Sequence, residues 1–137
     1  MKYRSWTFPT LLITAALLAA GCASRYERVQ SARPDGGVVR IINKPKSTVF
    51  AAAVLAMHER GEELWEAQSA TGKIVSLTTF GMRAIFILAV SERRTRIELS
   101  SNFSRVLIPG TSNPGKEFFT LLREQIIIYE KKTALKN

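Results

Sequence analysis

The sequence predicts an α+β domain: one antiparallel sheet of about five strands with two helices packed on one face. The order is β-α-β-β-β-β-α, after an N-terminal signal helix. Three observations predict it. Apolar residues recur at helical spacing twice, over residues 48–60 and 116–132. Between them lie β-rich runs separated by turn residues, with gaps too short for crossover connections, so neighbours run antiparallel. One of those runs, residues 83–90 (RAIFILAV), is almost wholly apolar, which asks for a central position covered on at least part of both faces.

The signal helix comes first in the chain. Residues 1–5 carry Lys2 and Arg4 and no acid, the positive opening of an export signal. A mostly apolar run follows to Ala20, and the small residues Ala19, Ala20 and Gly21 precede Cys22. The run is shorter than the roughly 20 apolar residues a spanning helix needs. Small side chains also let a peptidase close on the backbone. The ending Leu18-Ala19-Ala20-Gly21-Cys22 resembles the lipobox of bacterial lipoproteins, which usually has a leucine three places before the cysteine. Here that place holds Ala19, and the leucine stands one position earlier. The resemblance implies cleavage between Gly21 and Cys22, a diacylglycerol on the Cys22 thiol, and attachment to a membrane through that lipid. By the same resemblance, Ala23 in place of an aspartate implies the periplasmic face of the outer membrane. Two other readings stand: an ordinary signal peptide cut near Ala20 with Cys22 a bystander, and an uncleaved membrane helix. Cys22 is the only cysteine, so an exported chain would hold no internal disulfide.

Removing residues 1–21 from 137 leaves 116, enough for one small domain. The 20 Lys and Arg against 11 Asp and Glu give +9, and the loss of Lys2 and Arg4 leaves +7. Outside the cytoplasm such charge meets anionic lipid headgroups or cell-wall carboxylates, and nucleic acid is not an expected partner. A solvated surface without a dedicated partner is the other reading.

Residues 22–37 are polar, with Pro34 and an Asp35-Gly36-Gly37 turn, and read as a flexible tether. About 15 residues fully stretched reach on the order of 50 Å. The domain occupies residues 38–132. Residues 38–42 (VVRII) form the first strand. Asn43 and Ser47 are N-cap types and Pro45 suits an early helical position. In the first helix Phe50, Val54 and Met57, beside Val49, Ala53 and Ala56, make one apolar face, and Gly61 supplies the stop.

Strands are expected over residues 64–68, 73–79, 83–90 and 95–103. Turns fall at residues 69–72, at Phe80-Gly81 and at a charged hairpin tip over 91–94. The last strand alternates, with Ile97, Leu99 and Ser101 inward and Arg96, Glu98 and Ser100 outward. Residues 109–115 read as an irregular loop. The final helix carries Phe119, Leu122, Ile126 and Tyr129 on one stripe and Phe118, Leu121, Gln125 and Ile128 beside it. Lys131 and Lys132 suit its negative pole, and residues 133–137 are a tail.

A helix after the first strand, Gly61 at its end, Leu64-Trp65-Glu66-Ala67, a Thr71-Gly72-Lys73-Ile74 hairpin and a closing helix resemble small periplasmic lipoprotein domains of unknown function. They are also similar to helix-grip domains of the C subunit of the outer-membrane β-barrel assembly machinery. The resemblance implies a binding or scaffolding part and carries over no functional residue.

The chemistry-bearing residues are few. His58 is the lone histidine, and with Glu59 as its only near acid it cannot assemble a zinc site. No serine sits in a G-x-S-x-G turn, and no phosphate-binding glycine pattern occurs. Glu62, Glu63 and Glu66 read as solvated surface. No enzyme activity, metal or cofactor is therefore expected. Arg93, Arg94 and Arg96 at the hairpin tip are the candidate contacts for an anion or partner, and edge protection of the sheet is their bland alternative. Lys44 and Lys46 stand before the first helix, whose amides also favour an anion. Trp65, Phe118 and Phe119 are expected in the core.

The expected function is a non-enzymatic, membrane-anchored envelope lipoprotein that binds or scaffolds another envelope protein. One alternative is a lipid or small-molecule module holding its ligand between the sheet and the last helix. The other is anion or cell-wall binding through the basic hairpin.

Overall fold

A computed structural model of the chain describes residues 27–78, 81–104 and 113–136. The chain divides into two compact units, Met1–Ser31 and Ala32–Asn137. Of the first, the described part is a helical segment at residues 27–31. The second is the α+β domain, with β1 (Val39–Ile42), α1 (Lys46–Glu59), β2 (Leu64–Gln68), β3 (Lys73–Thr78), β4 (Gly81–Ser91), β5 (Arg94–Leu99) and α2 (Pro114–Ala134). A short 3₁₀ turn at Ser101–Ser104 follows β5.

The five strands lie in the order β1-β5-β4-β3-β2 and every neighbouring pair is antiparallel. β2 to β5 form a meander, while β1 joins it beside β5, so the chain must cross the whole sheet between β1 and β2. Helix α1 makes that crossing. Its 14 residues span about 21 Å, which matches the roughly 19 Å across four strand spacings.

Three alanines of α1, Ala52, Ala53 and Ala56, are wholly buried and let the helix sit close. Its end is a Schellman turn: Gly61, at φ +68°, donates to the His58 carbonyl at 2.8 Å and Glu62 N to the Met57 carbonyl at 3.1 Å. Glycine takes that left-handed conformation without steric cost.

The register explains the core. Ile74 pairs with Ile85, Ile87 with Ile97, and Ile85 with Leu99, so all five point to one face. Beneath the helices they join Val49, Met57, Phe103, Phe118, Leu122 and Ile126 in one packed cluster. Phe118 is the hub of the aromatic part, with ring centres 5.6 Å from Phe103 and 5.5 Å from Phe119. Ala84 and Phe86 are buried as well, so β4 is covered on both faces in its middle.

Several expectations are corrected. The N-cap of α1 is Pro45, with no side-chain cap bond, in place of Asn43 or Ser47. Asn113-Pro114-Gly115 is the start of α2 and no loop, because the Asn113 side chain accepts from the Gly115 and Lys116 amides and Pro114 fits the first turn. β5 stops at Leu99. Ser100 is buried, its hydroxyl accepting from Ala84 N at 3.0 Å, while Ser101 is exposed, so the inward–outward alternation breaks there. Side-chain bonds of this kind compete with the strand ladder. They turn the chain so that Phe103 enters the core.

Trp65 is 42% exposed. It sits where the β2–β3 register shifts between Leu64 and Glu66, and that bulge turns it away from the core. α2 runs two residues past the expected end, to Ala134.

Within the expected 22–37 tether, local structure is present among the described residues. Residues 27–31 are helical, and Asp35 is fastened to the domain, its carboxylate accepting from Ser101 N at 2.8 Å and from the Ser101 hydroxyl at 2.8 Å. Gly37 packs so close that an added Cβ would overlap the Leu99 carbonyl.

Phe118→Ala should lower stability by about 3–5 kcal/mol, because it opens a cavity in the packed core. Trp65→Ala should cost well under half of that. Urea unfolding followed by circular dichroism checks both.

Candidate functional site

Cys22 and Gly21, the expected lipid-attachment and cleavage residues, lie outside the described residues. The basic tip lies within them. Arg93 and Arg94 are exposed at the β4–β5 turn. Arg96, two residues into β5, points to the sheet face away from the helices and is held by Glu98, whose carboxylate is 2.6 Å away and nearly buried. Glu98 also accepts from Gly36 N at 3.4 Å. Arg96 is thus a fixed structural cation, whereas Arg93 and Arg94 make no ion pair among the described residues. The three arginines differ in role although the sequence places them side by side.

Lys44 and Lys46 are committed elsewhere. Lys44 Nζ binds both Glu130 oxygens, at 2.6 and 2.8 Å, and ties the β1–α1 link to the end of α2. Lys46 Nζ donates to the Ala70 carbonyl at 2.9 Å and holds the β2–β3 turn. Thr95 Oγ1 donates to the Lys44 carbonyl at 2.8 Å, which brings this link to the foot of the arginine tip.

The acids depart from the solvated-surface reading. Glu63 is exposed, but only 6% of the Glu62 side chain is. One Glu62 oxygen accepts from Arg83 and from Arg60, and the other from the Ser76 hydroxyl at 2.9 Å. Arg60 reaches on to the Pro114 carbonyl at 3.0 Å and to Glu117 at 3.3 Å. Both guanidinium groups flank the Phe103 ring, at 5.6 and 5.9 Å from its centre. The Schellman turn places Glu62 here: it carries the chain off α1 and drops the next side chain beneath the helix end. Glu66 is likewise enclosed, 3.4 Å from Lys73. A carboxylate closed between two arginines is a structural clasp joining α1, β3, β4 and α2.

The space between sheet and last helix, the expected seat of a lipid ligand, is filled by Ile85, Ile87, Phe119, Leu122 and Ile126 packed in one cluster. A cleft of about 590 Å³ lies instead between the end of α1 and the start of α2, lined by Glu59, Arg60, Lys116 and Thr120 among others. His58 is exposed at that helix end. Among the described residues no three His, Cys, Asp or Glu side chains group as metal ligands, and no helix is long and apolar enough to cross a membrane.

The clasp gives a paired test. Removing one partner of a buried ion pair typically costs about 3–5 kcal/mol, because the other charge is left uncompensated. Glu62→Ala should fall near the lower end, since Arg83 keeps some solvent contact. Glu63→Ala should stay within about 0.5 kcal/mol of the parent. Denaturant midpoints of the two variants, measured side by side, decide it.

No protein-family model matches the chain, and no curated protein sequence matches it either.

Proposed function

We propose that this chain is an envelope lipoprotein, anchored through a lipid on Cys22, whose domain binds or scaffolds another envelope component without catalysing a reaction. The observation that carries the reading is the lone cysteine after a basic opening, an apolar run and three small residues. The domain's geometry supports binding over catalysis. Its best-buried carboxylates, Glu62 and Glu98, are spent on ion pairs that hold the fold. Its large exposed apolar side chains include Val39 and Ile41 on the outermost strand β1, at 43% and 46% exposure. Such side chains on a sheet rim suit contact with another surface. The expected address is the periplasmic face of an outer membrane.

Labelled palmitate should enter the wild-type protein and not Cys22→Ser, and the wild type should stay with membranes through a high-salt wash. Affinity capture from gently solubilised membranes should then return a stoichiometric protein partner. An unlabelled wild-type chain with a free thiol defeats the anchor. A labelled chain that stays monomeric defeats the scaffolding role.

A further inference from the structure

Exposed cations gather at one end of the domain along the strand axis. The β4–β5 turn, the start of α1 and the end of α2 share one end of the sheet, held together by the Thr95–Lys44 and Lys44–Glu130 bonds. That end gathers Lys44, Lys46, Arg93, Arg94, Lys131 and Lys132 against Glu92 and Glu130. The other end is mixed: among the described residues it carries Asp35, Glu59, Glu62, Glu63 and Glu117 together with Arg33, Arg60, Arg83 and Lys116. Arg93, Arg94, Lys131 and Lys132 are exposed and make no ion pair among the described residues. Aliphatic side chains lie beside them: Val90 is 53% exposed next to the tip, and Leu88, 45% exposed, is directly across from Arg96. Ile41, on the other side of Arg96, extends the same face.

We propose that this end of the domain docks on an anionic, phosphate-bearing bilayer surface. Guanidinium and ammonium groups meet lipid phosphates, and Leu88 and Val90 enter the headgroup boundary. Two features favour a bilayer over an acidic protein. The exposed cations come from two separate elements, the β4–β5 turn and the end of α2, which spreads them across that end and suits an extended field of phosphates. The exposed aliphatics stand at its rim, where an interface with hydrocarbon behind it would accept them. The docking rests on the lipoprotein reading only for which surface lies within reach; the charge pattern stands without it.

The test uses the full-length lipidated protein with Ser91→Cys, which carries an environment-sensitive dye at the tip. It is reconstituted in phosphatidylcholine vesicles with or without phosphatidylglycerol. Emission should shift to the blue only where phosphatidylglycerol is present, and return in about 1 M salt, where screening acts within roughly 3 Å. Each basic residue near such a surface contributes about a fivefold gain, so Arg93→Ser with Arg94→Ser should lower the docked-to-undocked ratio roughly 25-fold. Lys116→Ser with Arg123→Ser, at the other end and middle of α2, should leave it within about twofold of the parent on the same reasoning.

Equal emission in the two vesicle types, with the protein sedimenting with both, overturns the docking and leaves the anchor standing. Loss from neutral vesicles with retention on anionic ones removes the anchor and upholds the docking. A shift that appears only when an acidic protein is added overturns the bilayer as partner.

Discussion

Burying one face of the sheet is the constraint from which the other features follow. Five strands expose two faces, and the face carrying Ile74, Ile85, Ile87, Ile97 and Leu99 must be removed from water. Each such side chain contributes about 1.5–3 kcal/mol when fully buried. The connection from β1 to β2 supplies half the cover because it has to travel from one edge of the sheet to the other. A helix of α1's length is the regular element that spans that width, and its alanines bring it close. α2 then lies on what remains, with Phe118 and Leu122 reaching the same core.

Polar groups inside this arrangement are placed where apolar packing ends. Arg60, Glu62 and Arg83 lie at the margin of the core around Phe103. Buried charge is costly unless paired, so each of these groups has an opposite charge. On the β1 edge the exposed Arg40 stacks on Phe119 at 4.2 Å. Glu62 and Glu117 are taken up by ion pairs at one end of the domain. The cations of α2's last turn and of the β4–β5 turn, which make no ion pair among the described residues, collect at the other. The cationic end is thus a by-product of which end of the sheet closes over the core and which carries the hairpin tips.

Much of the fold is legible in residue order. The spacing of Phe119, Leu122 and Ile126, the stop at Gly61 and the apolar run of β4 each carry a local signal that tertiary contacts do not reverse. The errors share one cause. Trp65 reads as core because large aromatics are buried more often than not, yet a bulge sets the direction of its side chain. Asn113-Pro114-Gly115 reads as loop because all three break regular structure, although an asparagine cap followed by proline also begins a helix. The reading of 95–103 as one strand assumed that alternation continues, whereas serine hydroxyls and Asp35 offered the backbone other partners.

The candidate site divides the same way. By its own residues the sequence determines an apolar N-terminal run ending at one cysteine, a net positive charge, and three arginines near a hairpin tip. It also determines two helices and a run of strands, because hydrophobic period and turn residues act over a few positions. The tertiary structure alone decides that Arg96 is locked to Glu98 while Arg93 and Arg94 remain exposed. It also decides that Glu62 lies inside a pair of guanidinium groups, and that Lys131 comes to the same end as Arg93. These depend on strand register and on the path of α1 across the sheet, which join residues tens of positions apart. No local pattern encodes such distances.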